Sequence, residues 1–257
     1  MNTTRTAGQV RIYTPSQQGT GSFDGGRITE TKPIGFGGDG SAVNRIGPLF
    51  YWAWASSKGP ATIALHPHQG FEIASYMLEG ELGHFDTGGH ESRVSRGGVQ
   101  VMQTGSGISH REQTFDTTDF FQIWFEPDLR EALKRPPTYY EASDAELPVS
   151  EKDGVHTKSI LGGAAPMSLV ADAQVEHLTL APNAELEFGK DGTRTQAIVV
   201  IDGAMQIHGS DGQREVQPRD FLVVEGASDA QLKAGSTAGE ALIVDVPTKV
   251  TYPLLNK

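Results

Sequence analysis

Short apolar segments separated by turn-forming residues run through the whole chain, and no other feature constrains the fold as strongly. In the first half, the segments 49–55, 62–65, 73–78, 99–102 and 120–125 have the length and composition of β-strands. Glycine accounts for 31 of the 257 residues, well above an average usage of about 7%, and would supply the many tight turns. We therefore expect an all-β chain with antiparallel sandwiches or barrels.

Helical signal is weak and is confined to 128–134, where Asp128 offers a start and a Pro-Pro pair follows the end. A polar stretch comes next, at 138–151, and it carries no strong periodic pattern. We place the boundary between two domains in this stretch. The expected domains are 1–140 and 141–257.

The second half of the chain repeats the first. Residues 198–207 (IVVIDGAMQI) match 75–84 (SYMLEGELGH), each as a strand, an acidic-Gly turn and a second strand. Residues 216–224 match 94–102 in the same way, at nearly the same distance from that turn. An internal duplication is the interpretation that we prefer.

Two short pairs of metal-binding side chains lie at opposite ends of the β-rich stretch, and they are His66 with His68 and His110 with Glu112. Because residues i and i+2 of a strand point to the same face, each pair can aim at one point. Two neighbouring strands would then bring together three imidazoles and one carboxylate. This set suits iron, copper, nickel or manganese and leaves room for water or substrate. The alternative is two unrelated polar pairs on exposed strands.

The matching positions of the second half do not repeat these pairs. Counting back from the equivalent turn gives Gly189 and Asp191 for the first pair, and Ser228 and Asp229 lie in the region of the second. We therefore expect the first half alone to carry the chemistry.

Composition excludes several classes of function. The formal net charge of -11 and the pI near 5.1 argue against a non-specific phosphate-binding surface, so nucleic acid is not an expected partner. The chain has no cysteine, which excludes disulfides, thiolate metal sites and a cysteine nucleophile. The N-terminus lacks the apolar core of a signal peptide, and no apolar run approaches the roughly 18 residues of a membrane helix. We expect a cytoplasmic protein without a membrane partner.

The ordered motifs of the first half resemble the pirin family of the cupin superfamily. The similarity extends over about 35–140, and the stretch 121–127 (FQIWFEP) brings it closest to bacterial, quercetinase-type pirin-like proteins. The motifs that carry it are HPHQGFE at 66–72, YMLEG at 76–80, GSGISHRE at 105–112 and PTYY at 137–140.

The resemblance implies a bicupin, with two cupin barrels of the double-stranded β-helix or jelly-roll type packed together. By position it makes His66, His68, His110 and Glu112 the metal ligands of the N-terminal barrel and leaves the C-terminal barrel without metal. Fe(II) is the metal it implies, with Cu, Ni, Mn, Co and Zn as alternatives. Gln69 departs from the pattern, because the family often has a basic residue there.

The resemblance also implies a reaction. Cupin quercetinases open a flavonol ring with O2, so the expected function is a metal-dependent dioxygenase acting on a flavonol-type or related enolisable aromatic substrate. Glu112 would be the catalytic base toward the substrate hydroxyl as well as a ligand. The alternative is a non-enzymatic protein whose metal redox state regulates a protein partner. A purely structural metal site is less suitable, since such sites close their shell with four ligands.

Other side chains receive more ordinary interpretations. Glu72 lies where many cupins place a glutamate ligand, but beside Glu112 we expect it near the ligands or at the surface. His84 and His90 flank a turn and are expected to be structural or solvated. Surface positions are expected for His156, His177 and His208. Trp52, Trp54 and Trp124 are expected in the core or at an interface rather than as a stacking platform. The core or a pocket wall is expected for Phe71, Met102 and Phe125.

Two backbone expectations follow from residue type. Pro67 has no N–H to donate, so its strand should be an edge strand or carry a bulge. Gly105 and Gly107 tolerate positive φ and would let the chain turn sharply before His110, although a routine hairpin turn explains them equally well.

Overall fold

The computed structural model describes residues 9–188, 192–226 and 230–255. Over these residues the chain is almost entirely β, so the all-β expectation is confirmed. The single described α-helix, α1, spans Leu129–Ala132 and begins at the predicted Asp128, whose side chain accepts a hydrogen bond from the Arg130 N–H. Within the described residues, no helix has both the length and the apolar character that crossing a membrane requires.

The described strands are numbered in chain order. The first eleven are β1 (Gln9–Tyr13), β2 (Gly19–Phe23), β3 (Ile28–Ile34), β4 (Leu49–Lys58), β5 (Ala61–His68), β6 (Glu72–Glu79), β7 (Glu81–Asp86), β8 (Glu91–Ser95), β9 (Val99–Gln103), β10 (Ile108–Thr114) and β11 (Thr117–Phe125). The others are β12 (Thr138–Ala142), β13 (Val149–Lys152), β14 (Val155–Leu161), β15 (Gln174–Leu180), β16 (Glu185–Glu187), β17 (Arg194–Asp202), β18 (Met205–Gly209), β19 (Gly212–Val216), β20 (Phe221–Glu225), β21 (Gln231–Ala234) and β22 (Gly239–Pro247). Short 3-10 turns lie at Pro15–Gln17, Asp24–Gly26 and Asp144–Glu146.

These strands form two compact units, each with a seven-stranded and a four-stranded antiparallel sheet. In the first unit the orders are β12-β9-β6-β11-β4-β3-β2 and β5-β10-β7-β8. In the second unit they are β1-β20-β17-β22-β15-β14-β13 and β16-β21-β18-β19. Each strand of the first unit has an equivalent at the same position in the sheets of the second unit. The duplication inferred from the sequence is therefore confirmed. The Gly80 and Gly203 turns that revealed it join equivalent strands, β6 to β7 and β17 to β18.

The units are not contiguous in sequence. The first unit contains Gln17–Leu147, Pro166–Asp172 and the last described residues, and the second contains the N-terminal strand β1 with most of the second half. Strand β1 pairs with β20, and Val10 is buried in the core of the second unit. It takes the sheet position that β12 takes in the first unit. The division into domains 1–140 and 141–257 stays a prediction.

The space between the sheets of the first unit has an apolar and a polar part. The apolar part is a cluster of buried side chains that includes Ile63, Met77 and Phe120, each worth about 1.5–3 kcal/mol of stability when fully buried. In strand β10, the even-numbered residues from Ile108 to Thr114 are buried and the odd-numbered ones are more exposed. His110 and Glu112 therefore face the interior, in the polar part.

Candidate metal centre

Three imidazoles meet where β5 pairs with β10. The strands are antiparallel, and His110 lies directly opposite His66, while His68 lies opposite Ile108. One ring nitrogen from each of the three histidines lies within 4.8 Å of the others. The Nε2 atoms of His66 and His110 are 3.1 Å apart. The predicted approach of His66, His68 and His110 is thus present in the folded chain.

A β-bulge sets the direction of the first histidine. After the His110–His66 pair the register shifts, and Glu112 lies opposite Ile63, so β5 has one residue more than β10 in this interval. Ile63 is buried, the next two residues are exposed, and His66 is half-buried again. In a regular strand, Ile63 and His66 would face opposite sides. The bulge places both on the inner face, and β5 is an edge strand, as Pro67 predicted.

Glu112 lies on the same face of β10 as His110, but it does not belong to the cluster of three residues whose ligand atoms all lie within 4.8 Å of one another. Its carboxylate accepts hydrogen bonds from Gln122 Nε2 at 2.8 and 3.0 Å. Ser75 Oγ donates at 3.3 Å and Gln100 Nε2 at 3.5 Å. Gln122 is paired across the sheet with Ser75, and Ser75 with Gln100, so these three donors form one row across β11, β6 and β9.

The chemistry of these side chains suits a divalent cation. His66 Nδ1 donates to the Ala64 carbonyl at 2.7 Å, so its Nε2 carries the lone pair with which a neutral imidazole binds a metal. Two nitrogens bound at right angles to one ion, each at about 2.1 Å, would lie about 3 Å apart, close to the observed Nε2–Nε2 separation. Glu112 is 2% exposed, and its described donors are all neutral. A cation would balance this buried charge.

Burial keeps His110 neutral. Desolvation, reinforced by the neighbouring rings of His66 and His84, lowers the pKa of His110 to about 3, and the opposing effect of Asp86 is smaller. A neutral imidazole is the form that binds metals.

A second polar group lies beside His110 and is built around Asp86. His84 Nε2 donates to the buried carboxylate of Asp86 at 3.0 Å, and His90 Nδ1 donates at 2.9 Å. Burial raises the pKa of Asp86, but these hydrogen bonds outweigh that effect and the net shift is downward. His84 also stacks on Tyr139, with ring centroids 4.2 Å apart, and is 5.5 Å from His110. His84 is buried and therefore fits the expected structural role, whereas the side chain of His90 is exposed.

Aromatic side chains form a wall next to His68. The rings of Trp124 and His68 are nearly perpendicular and in contact, at a centroid distance of 4.9 Å. Phe36 contacts Trp124 at 5.8 Å, and Phe71 contacts the buried Phe50 at 4.8 Å. Trp124, Phe36 and Phe71 are half-buried, while Trp52, Trp54, Met102 and Phe125 are buried.

Glu72 has a structural position and is not at the surface. It is 1% exposed, and its two oxygens accept hydrogen bonds from the backbone N–H groups of Val170 and Ala171, both at 2.7 Å. Gln103 Nε2 adds a third at 2.8 Å. Burial raises the pKa of Glu72 more than these bonds lower it. Glu72 thus holds the 166–172 segment within the first unit.

The second half bears on three expectations. His156 and His208 are exposed, as predicted. The surface position predicted for His177 is wrong, because its side chain is 16% exposed and its Nε2 lies 3.6 Å from a carboxylate oxygen of Glu240. The residues that match the ligand pairs, namely Gly189, Asp191, Ser228 and Asp229, lie outside the described residues.

Sequence reasoning missed the three donors to Glu112 and the Asp86 group. Gln122, Ser75 and Gln100 lie inside apolar strands, and all three are buried. A polar residue at a buried position of such a strand needs a hydrogen-bonding partner. That signal was available, but it does not identify the partner.

Comparisons with known proteins identify relatives of this chain. The family model of pirin matches residues 52–125. A Pseudomonas aeruginosa protein, provisionally named quercetin 2,3-dioxygenase PA1210, is 31% identical over 186 residues, which cover 70% of this chain and 75% of that protein. Pirin from Homo sapiens is 30% identical over 201 residues, or 74% of this chain and 68% of the human protein.

A solved structure shares the fold. The bacterial pirin YhhW from Escherichia coli, in complex with nickel(II), superimposes with a TM-score of 0.77 and 20% sequence identity, over 93% of this chain and 99% of that one. At this level of identity the similarity shows the fold alone. It confirms the predicted all-β fold with two cupin units.

Proposed function

This chain belongs to the pirin family, and from that premise we propose that it is a metal-dependent dioxygenase acting on a small, enolisable aromatic compound of the flavonol type. The proposed ligands are His66, His68, His110 and Glu112, and the proposed metal is Fe(II). The observation that carries the proposal is the convergence of three imidazole nitrogens within 4.8 Å of one another, with the buried carboxylate of Glu112 two residues from His110 on the inner face of β10.

The four proposed ligands would leave the coordination shell of the metal open to other molecules. Three neutral nitrogens and one carboxylate leave about two positions of a six-coordinate ion for other molecules. When bound, a divalent ion would polarise the enol oxygen of a substrate, and a ferrous ion would in addition supply the one-electron chemistry that reaction with O2 requires.

The side chains would bind and deprotonate the substrate. Glu112 would take the hydroxyl proton of the substrate on a carboxylate oxygen, since it is a buried acidic side chain two residues from His110 on the inner face of β10. Gln122, Ser75 and Gln100 would hold that carboxylate in place.

The class of substrate follows from the walls of the site. Trp124 lies against His68 and Phe36 lies against Trp124, both half-buried, and a flat aromatic molecule can stack on aromatic side chains of this kind. The name of the Pseudomonas aeruginosa relative and the nickel(II) in the Escherichia coli pirin structure support an aromatic enol and a divalent metal, respectively.

Oxygen uptake by the iron-loaded protein with quercetin tests the proposal. We expect uptake by the wild-type protein and none by His110→Ala, which removes a ligand and leaves a cavity that costs only a few kcal/mol of stability, about 2–5. His156→Ala is the matched control, because it removes an exposed imidazole, and it should retain full activity.

Two negative results have different meanings. Stoichiometric iron without oxygen uptake on any flavonol or related enol would contradict the dioxygenase and favour the alternative, a metal-dependent regulator of a protein partner. Failure of the wild-type protein to retain any divalent metal would contradict the ligand set itself.

A further inference from the structure

We propose that Gln122 is a positioning residue for Glu112, and that Trp124 holds the Gln122 amide in the orientation that this role requires. The inference rests on the proposed function, because it concerns how the carboxylate of that site is held ready for the metal and the substrate. It assigns a role to two residues that are neither ligands nor bases.

The contact between Gln122 and Glu112 is short and enclosed. Gln122 Nε2 bridges both carboxylate oxygens of Glu112, at 2.8 and 3.0 Å. Gln122 is 7% exposed and Glu112 is 2% exposed. A hydrogen bond to a charged group in such surroundings is worth about 1.5–3 kcal/mol. The bridge also limits rotation of the carboxylate about its terminal bond.

The direction of the Gln122 amide is determined by Trp124. The indole Nε1 can only donate, and it lies 3.1 Å from Gln122 Oε1. The two side chains are at i and i+2 on β11, so they share a face of the sheet. If the amide turned over, its NH2 group would meet the indole N–H and its oxygen would meet the carboxylate. Only the observed orientation satisfies both neighbours.

The other two donors of the row are weaker. Ser75 Oγ is 3.3 Å from Glu112 Oε1 and Gln100 Nε2 is 3.5 Å from it, the limit for a hydrogen bond. The Gln100 oxygen accepts from Tyr139 at 3.1 Å. Without Gln122, Glu112 would keep only these long contacts, and its carboxylate would be free to turn.

Trp124 connects this arrangement to the histidines. Its ring packs against His68 at a centroid distance of 4.9 Å, while its N–H orients Gln122. One residue therefore supports an imidazole and, through Gln122, the carboxylate. We expect the metal affinity to depend on this connection, since residues that orient metal ligands typically contribute about 10–100-fold to affinity.

Calorimetric titration of the full-length, metal-free protein with Ni2+ alone tests the role. Gln122→Met keeps the size of the side chain and removes the amide, and we expect Ni2+ to bind about 10–100-fold more weakly. Trp124→Phe keeps an aromatic ring and removes the N–H, and the affinity should change in the same direction. If Gln122→Met does not fold, Trp124→Phe tests the same contact.

Gln196→Met is the matched control. Gln196 is also 7% exposed, and its Nε2 donates to Asp245 Oδ2 at 2.6 Å in the second unit. The substitution thus removes another buried amide from a carboxylate, and the Ni2+ affinity should not change.

A double-mutant cycle with Glu112→Ala separates positioning from general stability. If Gln122 acts through Glu112, Gln122→Met should weaken Ni2+ binding in the wild-type background and have no effect in Glu112→Ala. Equal losses in both backgrounds, or an unchanged affinity in Gln122→Met and Trp124→Phe, would overturn the role while leaving the metal site intact. A wild-type protein that does not bind Ni2+ would overturn the proposed site and this role together.

Discussion

At the scale of single residues, burial determines the protonation state on which the candidate site depends. His110 is 2% exposed, and its Nδ1 has no hydrogen-bonding partner within the described chain. Desolvation is the largest contribution to the lowering of its pKa to about 3. The same burial that prepares the ring to bind a metal thus makes it costly to protonate when the metal is absent.

This cost predicts how the stability of the metal-free protein depends on pH. Between the unfolded pKa of about 6.5 and the folded pKa of about 3, the unfolded chain binds more protons, so stability falls as the pH falls through this window. At pH 5 the loss from His110 is about 2 kcal/mol relative to pH 7. Urea unfolding at the two pH values should show a smaller loss for His110→Gln than for wild type. His156→Gln, which changes an exposed ring, should behave as wild type does, and equal losses in all three proteins would contradict the prediction.

At the scale of elements, the bulge in β5 decides whether the first two histidines face the site. Side chains alternate along a strand, so the extra residue of β5 would turn His66 and His68 outward if the bulge did not absorb it. The extra residue lies between Ile63 and His66, where Leu65 is 55% exposed. A strand at the edge of its sheet accommodates this irregularity, because the side without a neighbour makes no hydrogen bonds that the bulge would break.

Deletion of Leu65 tests this element. Without Leu65, Ile63 and His66 would be two residues apart, as Glu112 and His110 are on β10, so β5 could pair regularly and keep both side chains on the inner face. We therefore expect the deletion to retain bound metal, as measured by elemental analysis of the purified protein. Leu65→Ala keeps the bulge and removes only an exposed side chain, so it should also retain metal. Metal lost after the deletion but retained in Leu65→Ala would contradict the view that the bulge serves only to absorb the extra residue.

At the scale of the whole molecule, the chain consists of two units of the same topology, and the N-terminal strand belongs to the second of them. Strand β1 covers one edge of β20, Val10 enters the apolar core, and Arg11 forms an ion pair with Glu225. An uncovered β20 would be an exposed strand edge of apolar residues, which favours aggregation.

Removal of residues 1–13 should therefore loosen the second unit. Burial of Val10 alone is worth about 1.5–3 kcal/mol, so we expect amide hydrogen exchange in β20 to accelerate at least about ten-fold. Exchange in β10 of the first unit is the internal reference and should stay as in the full chain. Unchanged exchange in β20 would contradict a stabilising role for β1.

Sequence alone determined the features that depend on local pattern. The period of two predicted the strands and paired His66 with His68 and His110 with Glu112, and Pro67 predicted an edge strand. The repeat predicted two units of one topology. The positive φ angles of Gly105 and Gly107, at 48° and 125°, follow from residue type in the same way.

Only the tertiary structure decided which distant residues meet. Gln122 and Glu112 lie on different sheets, and His84 contacts Asp86 and Tyr139 beside His110. Strand β1 pairs with β20, which is more than half the chain length away in sequence. A polar residue in an apolar strand indicates that a hydrogen-bonding partner is needed, but every buried donor or acceptor in the chain is a candidate for that partner. The choice among them is made by long-range packing of one sheet on another, which the spacing of residues along the chain does not encode.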